Sequence, residues 1–105
     1  MLFFLRDVDH PGEDLGAMYA GEVSSVLDAV LSEGKRPACF IAESFQSCGG
    51  QIVYPEGFLS KAYAAVRSRG GICVADEVQV GFGRVGSHWW AFQVSYCFHY
   101  LINNH

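Results

Sequence analysis

Asp76 and Glu77 end the apolar run Ile72-Cys73-Val74-Ala75, and a third carboxylate, Glu43, ends a similar run, Ala38-Cys39-Phe40-Ile41-Ala42. A charge delivered at the carboxyl end of a buried parallel strand is placed to meet a ligand, because α/β sheets bind ligands beyond those ends. The same Asp could serve only as a loop anchor, and Glu43 could be a solvated strand end. Past Asp76 come Val78, an apolar side chain, and Gln79, whose amide can both donate and accept. Alternate residues of an extended segment share a direction. Asp76 and Gln79 stand an odd number of positions apart, so the chain must turn after the strand for both to meet one ligand.

The remaining chemistry-bearing residues point nowhere as clearly. Gly81-Phe82-Gly83-Arg84-Val85-Gly86 spells G-x-G-x-x-G. Dinucleotide binding by that pattern needs the first Gly directly after a strand and a helix opening at the third. Here Glu77 to Val80 intervene, Ser87-His88-Trp89-Trp90 does not read as a helix start, and no suitable acidic residue follows about twenty positions on. The stretch reads as a Gly-rich loop. His88, Trp89 and Trp90 read as packing residues and Arg84 as half of a structural ion pair. His10, His99 and His105 have no partner in the pattern. Cys39, Cys48, Cys73 and Cys97 form no C-x-x-C pair and have no His at ligand spacing, so no metal site is expected. Two disulfides are conceivable, but Cys39 and Cys73 lie in runs that read as buried strands. Reduced, buried thiols in an intracellular compartment are the expectation.

The elements that carry these residues follow from periodicity. Leu15, Met18, Tyr19, Val23, Val26, Leu27, Val30 and Leu31 recur at helical spacing, which predicts a helix over 14–33 with Gly34 as its stop. Pro37 forbids a restart. Residues 38–42 predict a strand buried on both faces. A polar loop follows from Ser44 to Gly57, with Gly49-Gly50 and Pro55 as punctuation. Leu59, Ala62, Tyr63 and Val66 mark a second helix, stopped at Gly70-Gly71, and 72–75 predict a second buried strand. Helix, strand, helix, strand is the order of an α/β domain with parallel strands.

Composition agrees and excludes several classes. Half of the 105 residues are hydrophobic and 17% are charged, which is globular and not disordered. The formal charge of −4 comes with scattered Lys and Arg, so no nucleic-acid surface is expected. No apolar stretch is long enough for a bilayer span, and residues 1–5 are too few for a signal-peptide core.

The segment Val74-Ala75-Asp76-Glu77-Val78-Gln79-Val80-Gly81-Phe82-Gly83-Arg84-Val85-Gly86 resembles the cofactor motif of the class III pyridoxal-phosphate aminotransferases. Phe40-Ile41-Ala42-Glu43-Ser44-Phe45-Gln46-Ser47-Cys48-Gly49-Gly50 is similar to that family's preceding strand and loop, at the right distance. Val80 and Val85 stand where ordinary members carry Thr. With Glu43 to Gln51 and Trp90-Ala91-Phe92-Gln93, they point to the phospho-lyase branch, which acts on ethanolamine phosphate or 5-phosphohydroxy-L-lysine. The resemblance spans residues 7–93. It implies part of the large domain of a fold type I, aspartate-aminotransferase-like enzyme with pyridoxal 5'-phosphate as cofactor, a small amine substrate and a homodimeric parent. By the same resemblance Asp76 holds the ring nitrogen, Val78 packs on the ring, Gln79 donates to the phenolic oxygen, and Glu43 lies on the substrate side. Such enzymes are often mitochondrial, and the chain is expected to be soluble.

The resemblance also says what is missing. The family's Schiff-base lysine follows the Asp motif, whereas Lys35 and Lys61 both precede it, so no catalytic residue is assigned. The phosphate-holding turn and the small C-terminal domain are absent too. The expectation is therefore a phospho-lyase fragment inactive alone. The alternatives are an ordinary transaminase fragment and a non-catalytic chain that pairs with full-length subunits. Residues 1–6 and 94–105 do not resemble the family. Gln93-Val94-Ser95 can be encoded as a consensus splice donor, and Leu2 to Leu5 as a pyrimidine run before an acceptor, so the ends are expected to be translated intron, the alternative being an isoform with a short alternative tail. Genomic DNA checks this: residues 94–105 should read straight on from the preceding exon, and a separate, properly spliced exon for them would refute it.

Overall fold

The computed structural model describes residues 10–48 and 50–94. The expected order is what it has: α1 (Leu15–Ser32), β1 (Cys39–Glu43), α2 (Phe58–Ser68) and β2 (Ile72–Asp76). The strands lie side by side and parallel, with Cys39 opposite Ile72 and Glu43 opposite Asp76. The connection between them carries α2, as a parallel pair requires.

Local chemistry sets the ends of both helices. The Asp14 carboxylate accepts from the Ala17 amide at 2.8 Å, capping α1. Lys61, in the first turn of α2, donates to the same carboxylate at 2.8 and 3.1 Å and so ties the two helix starts together. The Lys61 ammonium, with the Ala17 amide second, holds the Asp14 carboxyl below its ordinary pKa. A lowered carboxylate pKa means stabilisation that is complete above the unfolded value and fades as pH falls through the folded one. At the other ends, Gly34 (φ 73°) and Gly70 (φ 82°) take the left-handed conformation. The amide after each reaches back to the helix, Lys35 to Val30 at 3.2 Å and Gly71 to Val66 at 3.1 Å. This is the glycine stop expected at both places.

The core lies between the helices and one face of the sheet. Leu15, Tyr19, Ala20, Phe58, Leu59, Ala62 and Tyr63 are buried together, with Phe40, Ala42 and Cys73 of the strands against them. Phe40 meets the Tyr63 ring edge-on at 5.8 Å, and Tyr19 meets Phe58 at 6.5 Å. Each large apolar side chain so buried contributes about 1.5–3 kcal/mol. An exposed ion pair such as Arg69–Asp28, at 2.7 Å, contributes at most about 1 kcal/mol. Burial holds the unit together, and the ion pairs orient it.

Three expectations need correction. The strands are not buried on both faces: Ile41 is 64% and Ile72 63% exposed, because α1 and α2 both cover the same side. Cys39 is accordingly exposed and Cys73 only half-buried, and the three described cysteines are free thiols. The apolar stripe of α1 is also only partly covered, with Met18, Val26 and Leu31 exposed. Every predicted inward position of α2, by contrast, is buried.

Two glycines of α1 test this packing in opposite directions. A Cβ on Gly16 would run into the Glu56 carbonyl, while one on Gly21 would meet nothing within 4 Å. Chemical denaturation should show Gly16→Ala losing about 1–3 kcal/mol and Gly21→Ala gaining about 0.5–1 kcal/mol.

Candidate functional site

Glu43 and Asp76 face each other in register at the carboxyl ends of the two strands. Strand alternation assigns Phe40, Ala42, Cys73 and Ala75 to the helix-covered face. Ile41, Glu43, Val74 and Asp76 fall on the other. The expected turn after β2 is present, and Asp76 makes it: its Oδ1 accepts from the Val78 amide at 3.0 Å. The Glu77 carbonyl then accepts from Gly81 at 2.9 Å, so the chain coils back at once. Val78 is left 88% exposed and Gln79 is exposed beside it. Glu43 folds its own loop, its Oε2 accepting from the Ser47 amide at 2.5 Å. Beyond it, Gln46 and Ile52 pair through two backbone hydrogen bonds, of 2.9 and 3.0 Å, and close the loop. Burial, and secondarily the Glu43 charge, raise the pKa of the Tyr54 hydroxyl, which therefore keeps its proton.

The glycine-rich stretch is a packed loop. Gly83 donates to the Trp89 carbonyl at 2.8 Å and Gly86 to the Gly83 carbonyl at 2.9 Å. Phe82, itself left-handed at φ 57°, meets Trp90 at 5.0 Å and Trp89 at 5.9 Å. Among the named elements no helix opens at Gly86, so the dinucleotide pattern is a coincidence of turn glycines. His88 Nδ1 and the Ser87 hydroxyl share a local hydrogen bond at 3.0 Å, and Trp89 is 60% exposed while Trp90 is half-buried. Arg84 is exposed and pairs with no carboxylate among the described residues, contrary to the ion pair expected of it. A cavity of about 250 Å³ opens against Val78, Gln79, Phe82 and Arg84, with Asp76 outside its lining.

One residue that the sequence reading left without a role organises the region. Glu77 accepts from the Ser44 hydroxyl at 2.5 Å and from the amides of Ala91 and Phe92, each at 2.8 Å. Ser44 is 1% and Ala91 0% exposed. Strand parity was the signal available: Glu77 follows Cys73 and Ala75 on the inward side, opposite Asp76.

The donor set fits the ring of pyridoxal phosphate. Asp76 presents a carboxylate with Oδ2 free of hydrogen bonds among the described residues, followed by an exposed apolar residue and an exposed amide. It does not supply the cofactor's amine partner, since Lys61 is bonded to Asp14 and Lys35 to Glu33. Among the described residues no cluster suits a metal ion and no helix is long and apolar enough to cross a membrane.

Comparisons with known proteins bear on the family and the fold. The family model "Aminotransferase class-III" matches residues 12–96. The chain is 56% identical over 87 residues to a Drosophila melanogaster protein named alanine–glyoxylate aminotransferase 2-like, covering 83% of this chain and 18% of that one. It is 42% identical over 79 residues to ethanolamine-phosphate phospho-lyase homolog 1 of Caenorhabditis elegans, covering 75% and 17%. The human mitochondrial alanine–glyoxylate aminotransferase 2 is 56% identical over 62 residues, 59% of this chain and 12% of that one. Among solved structures, an Arthrobacter phospholyase in complex with phosphoethanolamine superposes with a TM-score of 0.74 at 30% identity, covering 86% of this chain and 21% of that one. The chain thus spans less than a fifth of the length of the curated relatives it matches.

Two glycines separate close packing from backbone conformation in the loop. A Cβ on Gly81 would stand 2.8 Å from the Glu77 carbonyl oxygen and 2.9 Å from the Trp90 ring, whereas one on Gly86 would meet nothing within 4 Å. Gly81→Ala should red-shift tryptophan emission and cost about 1–3 kcal/mol. Gly86→Ala should leave the emission unchanged and cost only the left-handed penalty of about 1–2 kcal/mol.

Proposed function

Because the chain belongs to the class III aminotransferase family and shares its fold, we propose that it forms the cofactor-ring end of a pyridoxal-phosphate site in a phospho-lyase. That enzyme would eliminate phosphate from an amino-bearing phosphate ester such as phosphoethanolamine or phosphohydroxylysine. The carrying observation is the Asp76 turn, in which one carboxylate oxygen bends the chain and the other stays available, with Val78 and Gln79 exposed next to it.

Pyridoxal phosphate, when bound, supplies an electron sink for a carbanion next to nitrogen, deepest while its ring nitrogen is protonated. Asp76 holds that proton, since a carboxylate beside a cation favours the charged form by about 1–3 pKa units. Val78 covers a ring face and keeps water from it. Gln79 donates to the phenolic oxygen. Glu43 stands on the substrate side, where its charge orients the incoming amine. The lysine that moves the substrate proton is not in this chain, so the segment is inactive alone and works within a full-length homodimer. The likeness to the phospholyase that binds phosphoethanolamine supports elimination over transfer. Transamination is the second reading, favoured by the aminotransferase names of the 56% identical relatives.

The full-length protein bearing this segment tests both. Phosphoethanolamine should release phosphate and ammonia, whereas amino transfer to glyoxylate without phosphate release would establish the second reading. Asp76→Asn should lower turnover about 10- to 1000-fold, matching the 1–3 pKa units. An unaffected Asp76→Asn enzyme would remove Asp76 from the site.

A further inference from the structure

Resting on that reading of Asp76, we propose that Glu77 and Ser44 are positioning residues for the cofactor ring. The Glu77 carboxylate clamps both ends of the loop that presents Val78 and Gln79, and Ser44 holds that carboxylate in its working orientation.

The geometry is a closed circuit. The Glu77 main chain starts the loop, its carbonyl accepting from Gly81 at 2.9 Å. The Glu77 side chain ends it, with Oε1 on the Phe92 amide and Oε2 on the Ala91 amide, both at 2.8 Å. Ser44, at the exit of β1, bonds Oε1 at 2.5 Å from a position only 1% exposed. Gln93 adds a closing contact, its Oε1 accepting from the Trp90 amide at 2.9 Å. With Ser44 and Ala91 buried, water cannot cheaply replace either as a lost partner, and a charge-assisted bond is the strong kind. Asp76 is bonded to its backbone neighbour Glu77 and to the Val78 amide, so displacing Glu77 displaces the carboxylate that meets the ring nitrogen. The clamp also joins the two strand exits, so Glu43 and Asp76 keep a fixed separation. A purely structural Glu77 would change stability and nothing else.

The test uses the full-length, cofactor-loaded protein with Ser44→Ala, Glu77→Gln, their combination, and Asp76→Asn as reference. Three quantities are read: cofactor dissociation, the pH at which the bound cofactor's absorption band reports loss of its ring proton, and the denaturation midpoint. Ser44→Ala and Glu77→Gln should each weaken cofactor retention about 5- to 30-fold. Both should move the spectral transition to lower pH, as Asp76→Asn does but by less. The double variant should resemble Glu77→Gln alone, because Ser44 acts through that carboxylate. A lower midpoint with retention and spectral transition unchanged would overturn the inference. Should Glu77→Gln not fold, Ser44→Ala decides by the same criteria, with hydrogen exchange at Ala91 and Phe92 rising if the clamp is loosened. If Asp76→Asn itself leaves the spectrum unmoved, the proposed function falls instead, and the two failures are told apart.

Discussion

A carboxylate with three donors, two of them from buried residues, Glu77 is the constraint on which the strand-end region depends. Two of those donors are backbone amides from beyond the loop and the third is a hydroxyl from the neighbouring strand exit. Without them, a loop running from Val78 to Trp90 with three glycines and exposed aromatics would have few reasons to hold one shape. Closing a flexible loop costs conformational entropy, and the clamp offsets that cost at the loop's two ends. Between the ends, Gly83 on Trp89 and the Phe82–Trp90 contact fix the interior.

The clamp explains how two adjacent carboxylates divide their work. Asp76 and Glu77 fall on opposite sides of β2 by strand parity. The inward one meets Ser44 and the returning chain, and the outward one makes the turn and keeps an oxygen available. The two stretches whose wording resembles the phospho-lyase branch, Glu43 to Gln51 and Trp90 to Gln93, are the ones that Glu77 connects through Ser44, Ala91 and Phe92. Their co-occurrence in the sequence has a physical counterpart.

One-sided coverage of the sheet is the other governing feature. The inward face is packed by α1 and α2 through Phe40, Ala42 and Cys73, whereas Ile41, Ile72 and Val74 are exposed on the outward face. Apolar side chains in an unbroken run carry no information about which neighbours cover them. That is why continuous hydrophobicity reads as burial on both sides while the described residues cover only one. The same limit applies to α1, where Val26 has helical spacing yet is 64% exposed.

Residue type and spacing alone determined much here. They predicted four elements in the right order, glycine stops at Gly34 and Gly70, the inward face of α2, and carboxylates at both strand ends. These are legible because helix period, left-handed glycine and strand-end charge are local properties. The family was legible too, since the stretches that resemble it are short and continuous in sequence. Only the tertiary structure decided that Glu77 would meet Ser44 and the amides of Ala91 and Phe92. Those contacts join residues 33, 14 and 15 positions apart, and two of the three donors are backbone groups that no side-chain identity announces. It alone decided which strand face is covered, because that depends on where both helices pack and not on how apolar the strands are.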